Sequence, residues 1–333
     1  MATSYPDRTN ARGIWNVNQI SKNYLTEGTF PISGTRGLIG GGCTAPDAST
    51  AQKSIDYLTI PTTGNAADFG DLNDGLKWGS ACSGFTRSIF GGGEDPSNTT
   101  IVNYIGITAL GDGSDFGDLT VARRFPGATS NTVRGVFAGG DSGSDSDVID
   151  YLAIATTGNL TDFGNLSSAR EGVGATSSPT RSLFAGGQIP AEVNIIDFIE
   201  LSSTGNATDF GDLSAARYYV GGGGNHIKAL FMAGGTPNVD VVDINDIRSL
   251  GNSVDFGNLI EAKSAGSCVS NLTRTLYAGG GGPFRDNIDY FTISTAGDAA
   301  DFGDLSVGRN RMNDMGCSNG HGGLDVYDPT TRV

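Results

Sequence analysis

Residues 149–166 read IDYLAIATTGNLTDFGNL, and the fold is predicted from them because their pattern recurs along most of the sequence. Its last part, Asp-Phe-Gly-Asp/Asn-Leu, occurs six times, beginning at Asp68, Asp115, Asp162, Asp209, Asp255 and Asp301. The spacing is 47 residues three times and then 46 residues twice. A constant internal period of this length is typical of an array of identical structural units.

A second marker precedes each motif: a basic residue, a short apolar run and a glycine pair, as in RGVFAGG at residues 134–140. The glycine pair permits a backbone turn that larger residues rarely adopt. Alternating residues such as IDYLAI at 149–154 predict a pleated strand, and the following turn, rich in Thr, Gly and Asn, predicts a hairpin. With the small-residue stretch GATSN at 127–131 as a further strand, each period predicts four short strands and no helix.

Four antiparallel strands cannot cover both of their own faces, so neighbouring sheets must stack around an axis. The sequence therefore predicts an all-β, six-bladed β-propeller over residues 35–321, with an N-terminal arm at 1–34 and a C-terminal tail at 322–333. The first blade begins at Arg36 without a small-residue strand before it. We expect the segment around MGCSNG, residues 315–320, to supply that strand and close the ring.

The order of these residues resembles the kelch repeat, in which a glycine pair ends the second strand and an aromatic residue lies in the third. An aromatic residue then opens the fourth strand, and a Leu and an Arg follow. Two periods carry the resemblance through Gly139-Gly140, Tyr151, Phe163, Leu166 and Arg170, and through Gly186-Gly187, Phe198, Phe210, Leu213 and Arg217. It covers roughly residues 36–320, with Phe in place of the usual Trp. The resemblance implies a divergent subfamily whose loops after the glycine pairs share a face with the inter-blade connections.

Composition excludes several classes of protein. Charged residues make up 17% of the chain and the formal net charge is −15, which opposes binding to nucleic acid because little is present to neutralise phosphates. The N-terminus lacks a basic segment followed by an apolar stretch, and no apolar run approaches membrane-spanning length. We therefore expect neither a signal peptide nor membrane insertion, and synthesis in a cytoplasm.

The four cysteines show no CxxC spacing, so neither a zinc site nor a redox motif is indicated. Three of them, Cys82, Cys268 and Cys317, are predicted to share one repeat position in the small-residue strand. All four are expected to be buried and reduced.

The recurring charged residues allow two interpretations. Asp298, Asp301 and Asp304 are spaced by three residues, and calcium takes roughly six to eight oxygen ligands. Because the pattern recurs in every period, a structural role is favoured; no cofactor is predicted, with calcium as the lesser alternative. A cation after each Leu is expected to form hydrogen bonds between blades to the nearby Asp residues, rather than a ligand-binding ring; these cations are Arg123, Arg170, Arg217, Lys263 and Arg309.

No catalytic constellation stands out in the sequence. The two histidines, His226 and His321, lie at unrelated repeat positions, and no arrangement of Cys and His recurs. A carboxylate pair of the glycosidase type stays open among 36 acidic residues. We predict that the protein is not an enzyme and has neither catalytic nor metal-binding residues.

The loops after the glycine pairs vary in length and content, whereas the turns of the TTGNA type hardly vary. Variable loops on a rigid scaffold are where recognition usually resides, although neutral surface drift gives the same variation. The predicted binding residues on these loops are Glu94, Asp95, Asp141, Asp145, Gln188, Glu192, Asn238, Phe284 and Arg285.

Residues 1–34 do not fit the repeat. Val17, Ile20 and Tyr24 have helical spacing, with Ile14 and Trp15 just before them. These five side chains are predicted to anchor the protein to a partner; a plug packed on the protein's own propeller is the alternative. The segment resembles the short GIW…N…GTWP-like leader at the start of many bacteriophage structural proteins.

Repeats such as TTGNAADFGDL, residues 62–72, are similar to those of predicted tail-fibre and other structural proteins of bacteriophages, particularly marine ones. This resemblance implies a non-enzymatic virion protein, placed as a tail fibre, a tail appendage or a capsid surface protein. Its expected partners are other virion proteins through residues 1–34 and a host-surface glycan or protein. A cellular kelch-like scaffold or adaptor is the alternative, followed by a propeller enzyme that acts on polysaccharide.

Overall fold

The computed structural model describes residues 36–46, 49–281 and 284–324. These residues form strands, turns and bends, and no helix occurs among them. In chain order the strands are β1 (Arg36–Gly40), β2 (Cys43–Thr44), β3 (Gln52–Thr59), β4 (Ala67–Leu76), β5 (Ser80–Ser83), β6 (Arg87–Gly91), β7 (Ile101–Gly106), β8 (Ser114–Asp118), β9 (Gly127–Ser130), β10 (Arg134–Ala138), β11 (Val148–Ala153), β12 (Thr161–Asn165), β13 (Gly174–Ser177), β14 (Arg181–Ala185), β15 (Gln188–Ile189), β16 (Ala191–Glu192), β17 (Ile195–Glu200), β18 (Thr208–Asp212), β19 (Gly221–Gly224), β20 (Lys228–Met232), β21 (Val239–Asp246), β22 (Val254–Lys263), β23 (Ser267–Ser270), β24 (Arg274–Ala278), β25 (Arg285–Thr292), β26 (Ala300–Asn310) and β27 (Gly316–Ser318).

The strands form six four-stranded antiparallel sheets in a ring, so the protein is a six-bladed β-propeller, as predicted. From the inside outward, the blades are β27-β1-β3-β4, β5 to β8, β9 to β12, β13-β14-β17-β18, β19 to β22 and β23 to β26. They are called blades 1 to 6 below. Strand β2 adds to the edge of blade 6, and β15 and β16 form a small hairpin in a loop of blade 4.

The ring is closed by the C-terminal strand, as the sequence predicts. Strand β27 pairs antiparallel with β1, which places Gly37 opposite Ser318 and Ile39 opposite Gly316. Blade 1 is therefore built from both ends of the propeller sequence, and its first strand comes last in the chain. This pairing removes an open sheet edge, which would otherwise be free to pair with another chain.

An aromatic column explains why three motif residues recur together. In blade 3, the Arg134 guanidinium lies 5.0 Å from the centroid of Tyr151, and that ring meets Phe163 edge-on at 5.9 Å. Arg134 also donates from Nη1 to the Leu201 carbonyl of blade 4 at 2.8 Å. The same column of cation, Tyr or Phe, and motif Phe occurs in blades 1, 2, 4 and 6.

The glycine of each Asp-Phe-Gly motif lies where the next blade approaches most closely. Gly164 has a φ of +148°, and a Cβ there would lie 2.5 Å from the carbonyl carbon of Gly205. Gly205 donates its N–H to the Phe163 carbonyl at 2.8 Å, and Asn165 donates its N–H to Asn206 Oδ1 at 3.1 Å. The uniform motif and the uniform turn are therefore two halves of one inter-blade contact.

A buried ion pair also joins successive blades. Arg170, in the connection between blades 3 and 4, has its Nη1 2.8 Å from Oδ2 of Asp197 on the third strand of blade 4. Both side chains are fully buried; burial lowers the pKa of Arg170, and Asp197 opposes that effect. Equivalent pairs are Arg123–Asp150, Arg217–Asp243, Lys263–Asp289 and Arg309–Asp56. The prediction of bonds between blades is confirmed, but the partner is this third-strand Asp instead of an Asp of the Asp-Phe-Gly motif.

The contact between blades 1 and 2 departs from this rule at both positions. Leu76 replaces the cation and Asn103 replaces the third-strand Asp, and both residues are fully buried. The Asn103 amide has no hydrogen-bond partner within the described part of the chain. The two charges are thus absent together, which avoids burying one of them unpaired.

Candidate functional site

The loops that follow the glycine pairs meet the inter-blade connections on one side of the ring. Backbone bridges pair Lys77 with Glu94, Arg124 with Asp141, and Glu171 with Gln188. In each pair the first residue belongs to a connection and the second to a loop. The prediction that these two sets of segments share a face is confirmed, and we call it the loop face; the uniform hairpin turns lie on the opposite turn face.

At the loop face, six residues at equivalent repeat positions surround the propeller axis and form what we call the axial ring: Trp78, Phe125, Gly172, Tyr219, Ala265 and Arg311. All six have a left-handed backbone, with φ between 54° and 68°. Backbone hydrogen bonds run around the ring; for example, Phe125 donates to the Trp78 carbonyl and Tyr219 to the Gly172 carbonyl, each at 2.8 Å. Bulky residues rarely adopt this conformation, so the ring of hydrogen bonds imposes it on them.

The large side chains of the axial ring close the loop-face end of the axis. Trp78 and Tyr219 come from opposite sides of the ring and stack, with ring centroids 5.1 Å apart and an interplanar angle of 20°. Phe125 packs against both rings, and the ring centroids of Tyr218 and Tyr219 are 4.0 Å apart. We call Trp78, Phe125, Tyr218 and Tyr219 the aromatic cap. Phe125 is buried, whereas the other three are partly exposed. The hydroxyl of Tyr218 accepts a hydrogen bond from Thr236 at 2.9 Å.

Charged residues border the aromatic cap. Glu94 contacts Lys77 at 3.2 Å and Arg124 at 2.6 Å, and Arg124 also contacts Asp141 at 3.0 Å. Burial favours a higher pKa for Glu94, but the two cations outweigh it and hold the pKa below its usual value.

Two further acids beside the cap, Asp145 and Glu171, have pKa values shifted in the opposite direction. Burial and the nearby Asp141 raise the pKa of Asp145; burial, Asp141 and Asp145 raise the pKa of Glu171. Arg124 only partly offsets these effects at Glu171. The loop face therefore combines partly exposed aromatic side chains with a network of ion pairs and an excess of negative charge.

Inside the ring, the innermost strands enclose a cavity of about 40 Å³, which is room for roughly two or three water molecules. Asp314 lines this cavity and accepts backbone N–H groups from Cys268 at 2.7 Å and from Gly222 at 3.1 Å, one on each carboxylate oxygen. Burial raises its pKa to about 7. Its hydrogen bonds join blades 5 and 6, so the carboxyl is occupied in holding the ring.

The predicted binding residues lie around the rim of the loop face and do not converge. Glu94, Asp141 and Asp145 lie beside the aromatic cap, whereas the others are spread over blades 2, 4, 5 and 6. Gln188 pairs with Glu192 across a hairpin, and Glu192 accepts the Thr236 N–H at 2.7 Å.

The remaining loop predictions have local partners or stay at the edge. Asn238 accepts a hydrogen bond from Ser264, and Arg285 forms an ion pair with Glu261. Asp95 is exposed in a turn, and Phe284 is half-buried. The anchoring residues Ile14, Trp15, Val17, Ile20 and Tyr24 lie outside the described residues and stay a prediction.

The aromatic cap was not predicted. Its signal in the sequence is a single repeat position that varies widely, as Trp, Phe, Gly, Tyr, Ala and Arg, between segments that hardly vary. Reading that position across the six repeats, instead of the loops alone, would have found Trp78, Phe125, Tyr219 and Arg311.

The structure also bears on the calcium alternative and on the predicted state of the cysteines. Asp298, considered for calcium, accepts the N–H of Asn258 in the preceding blade at 3.0 Å, and the described residues contain no cluster of three or more His, Cys, Asp or Glu suited to a metal ion. All four cysteines lie among the described residues and are buried thiols outside any disulfide, as expected. The prediction that three cysteines share one repeat position is wrong for one of them. Cys82 and Cys317 are equivalent, but Cys268 precedes that position by one residue.

Fold and site together define a six-bladed β-propeller with a closed axis, one uniform face and one variable face with an aromatic centre. No protein-family model matches the chain, and no curated protein is significantly similar to it. In the described part of the chain, no helix is long and apolar enough to cross a bilayer.

Proposed function

We propose that the protein is a non-enzymatic structural and attachment protein of a bacteriophage virion, built from divergent kelch-like repeats. Residues 1–34 attach it to other virion proteins, and the propeller presents its loop face to a host-surface glycan or protein. The observation that carries the proposal is the loop face itself. Variable loops, partly exposed aromatic side chains and unbalanced charge are all found there, while the turn face repeats one hairpin around the ring.

Binding without catalysis is supported by the closed axis. Propeller sites often use the central channel, where side chains from several blades can converge. Here the aromatic cap covers one end, and the carboxyl of Asp314 has both oxygens engaged by backbone N–H groups. An acid held in this way is poorly placed to transfer a proton to a substrate.

The proposal is tested by binding of the purified protein to host cells. The variants Tyr218→Ala and Glu171→Gln alter the centre of the loop face, and Leu110→Ala is the matched control because Leu110 is 61% exposed on the turn face. We expect the two loop-face variants to bind about tenfold more weakly and the control to bind like the parent. Equal binding by all of them, at equal thermal stability, excludes the loop face as the receptor site.

Cells treated with a protease or with a glycosidase distinguish the two receptor classes. Loss of binding after protease alone identifies a protein receptor, and loss after glycosidase alone identifies a glycan. If host cells do not bind the protein under any treatment, the attachment role is rejected.

The virion setting is tested by deleting residues 1–34. We expect the shortened protein to fold and to be absent from purified particles, whereas the full chain is found in them by mass spectrometry. A protein that is absent from particles in both forms instead supports the cellular scaffold or adaptor. Turnover of host polysaccharide that disappears when an axial carboxylate is replaced supports the enzyme.

A further inference from the structure

The chain continues past the closing strand and crosses the turn-face end of the axis. Residues 319–324, which we call the strap, follow β27 directly, and Gly322, Gly323 and Leu324 are buried. Leu324 is 3% exposed. No repeat contains an equivalent segment, so the strap belongs to the closure of the ring and not to blade architecture.

Polar contacts join the strap to blades 1, 2 and 3. Asn319 and Arg36 exchange two hydrogen bonds: the Asn319 N–H donates to the Arg36 carbonyl at 3.2 Å, and the Arg36 N–H donates to Asn319 Oδ1 at 3.1 Å. Nε2 of His321 lies 2.8 Å from the Ser83 carbonyl and 3.3 Å from Ser130 Oγ. These atoms belong to the innermost strands of blades 2 and 3.

The hydrogen bonds of His321 define its protonation. Gly323 donates its N–H to Nδ1 at 3.1 Å, so Nδ1 carries no proton. Nε2 must then carry the proton and donate it to the Ser83 carbonyl. The strap is therefore held by a neutral imidazole in one tautomer, consistent with burial lowering the pKa of His321 to about 4.

Two glycines allow the strap to sit against the blades. A Cβ at Gly322 would collide with backbone atoms of Asn225 in blade 5 and of Ser177 in blade 4. A Cβ at Gly323 would collide with the Ser130 carbonyl and with Oγ of Ser177. Any side chain at either position must displace the strap, because most of the opposing atoms are backbone. Together with its polar contacts, the strap touches five of the six blades.

We propose that the strap locks the ring and seals the turn-face end of the axial cavity, so that the propeller is held closed by this segment in addition to strand β27. The aromatic cap closes the other end of the axis. Displacing the strap opens the cavity to solvent from the turn face while the blades stay folded. The strap thus acts as a removable cover on the turn-face side of the cavity.

The cysteines provide the readout. Cys82, Cys268 and Cys317 line the axial cavity, whereas Cys43 is buried beside blade 6, away from it. Burial raises the pKa of Cys317 to about 12, and a thiol reacts as its thiolate. Because all four thiols are buried, they should resist a maleimide under native conditions until the structure opens.

The experiment compares maleimide labelling of the parent with Gly322→Ala and Gly323→Ala, with labelled sites located by peptide mass spectrometry. Gly106→Ala is the matched control, because a Cβ at Gly106 meets open space. We expect Cys82 and Cys317 to react about tenfold faster or more in the strap variants, through local opening. Cys43 should stay as protected as in the parent, and the control should behave like the parent.

Two results overturn the proposal: unchanged protection of Cys82 and Cys317, or equal acceleration at all four cysteines, which reports global unfolding. If the glycine variants fail to fold, His321→Ala is judged by the same criteria. This variant removes the contacts to blades 2 and 3 without inserting atoms between the strap and the blades.

Discussion

At the residue scale, two groups on the axis have pKa values shifted in opposite directions. Burial raises the pKa of Asp314 from 3.8 to about 7, so the folded protein keeps a proton that the unfolded chain releases. Its contribution to stability is present below pH 3.8 and is lost as the pH rises to about 7. Burial lowers the pKa of His321 from 6.5 to about 4, so its contribution is present above pH 6.5 and is lost as the pH falls to about 4.

The two contributions offset each other in the parent protein, and Asp314→Asn separates them. The variant loses one acceptor for the N–H groups of Gly222 and Cys268, a cost that does not depend on pH. Because the titration of Asp314 is gone, its stability relative to the parent should rise between pH 4 and 7 by about 1.4 kcal/mol per pH unit, up to about 4 kcal/mol. Urea unfolding across this range measures the difference; parallel curves for the two proteins contradict it.

At the scale of the elements, the contact between blades 1 and 2 lacks the buried ion pair found at the other five contacts, so the energetic contribution of such a pair can be measured there. Asn103→Asp buries a carboxylate without a partner, and Leu76→Arg buries a lone guanidinium, so each should destabilise the ring by about 3 kcal/mol or more. Together they recreate the pair found at the other five contacts, and the double variant should recover about 3 kcal/mol relative to the sum of the single changes. Denaturant unfolding of the four proteins measures this coupling; additive losses contradict it.

The contacts between blades show which features of the structure can be predicted from the sequence and which cannot. The strands, the blade number and the closing strand followed from the period, because each local pattern repeats and a sheet must hide both faces. The ion-pair partner of Arg170 could not be predicted from the repeat pattern, because Asp197 lies in the next blade and is no closer in sequence than several other acidic residues. The aromatic cap was missed because Trp78 and Tyr219 meet across the axis, a proximity that exists only after the ring closes. The strap has no repeat to compare with.

At the scale of the whole molecule, closure of the ring depends on the segment that follows blade 6 in the chain, because its strand β27 pairs with β1 of blade 1. A protein that lacks residues 315–333 leaves the inner edge of β1 unpaired and removes the seal on the axis. We expect this protein to unfold at a lower temperature and to self-associate, because an open apolar strand edge pairs readily with another chain. A protein that lacks residues 325–333 keeps β27 and the strap, and it is the control.

The missing segment should then act as a ligand. A synthetic peptide with the sequence MGCSNGHGGL, residues 315–324, is expected to bind the shortened ring with one-to-one stoichiometry and to raise its melting temperature in proportion to the logarithm of the peptide concentration. The shorter peptide MGCSNG, residues 315–320, supplies the strand without His321 and the glycines that follow it, and should stabilise the ring less. Calorimetric titration and thermal melts measure both. Equal stabilisation by the two peptides would assign ring closure to β27 alone. A greater stabilisation by the longer peptide measures how much the contacts of His321 and the residues after it contribute to keeping the six-bladed ring closed.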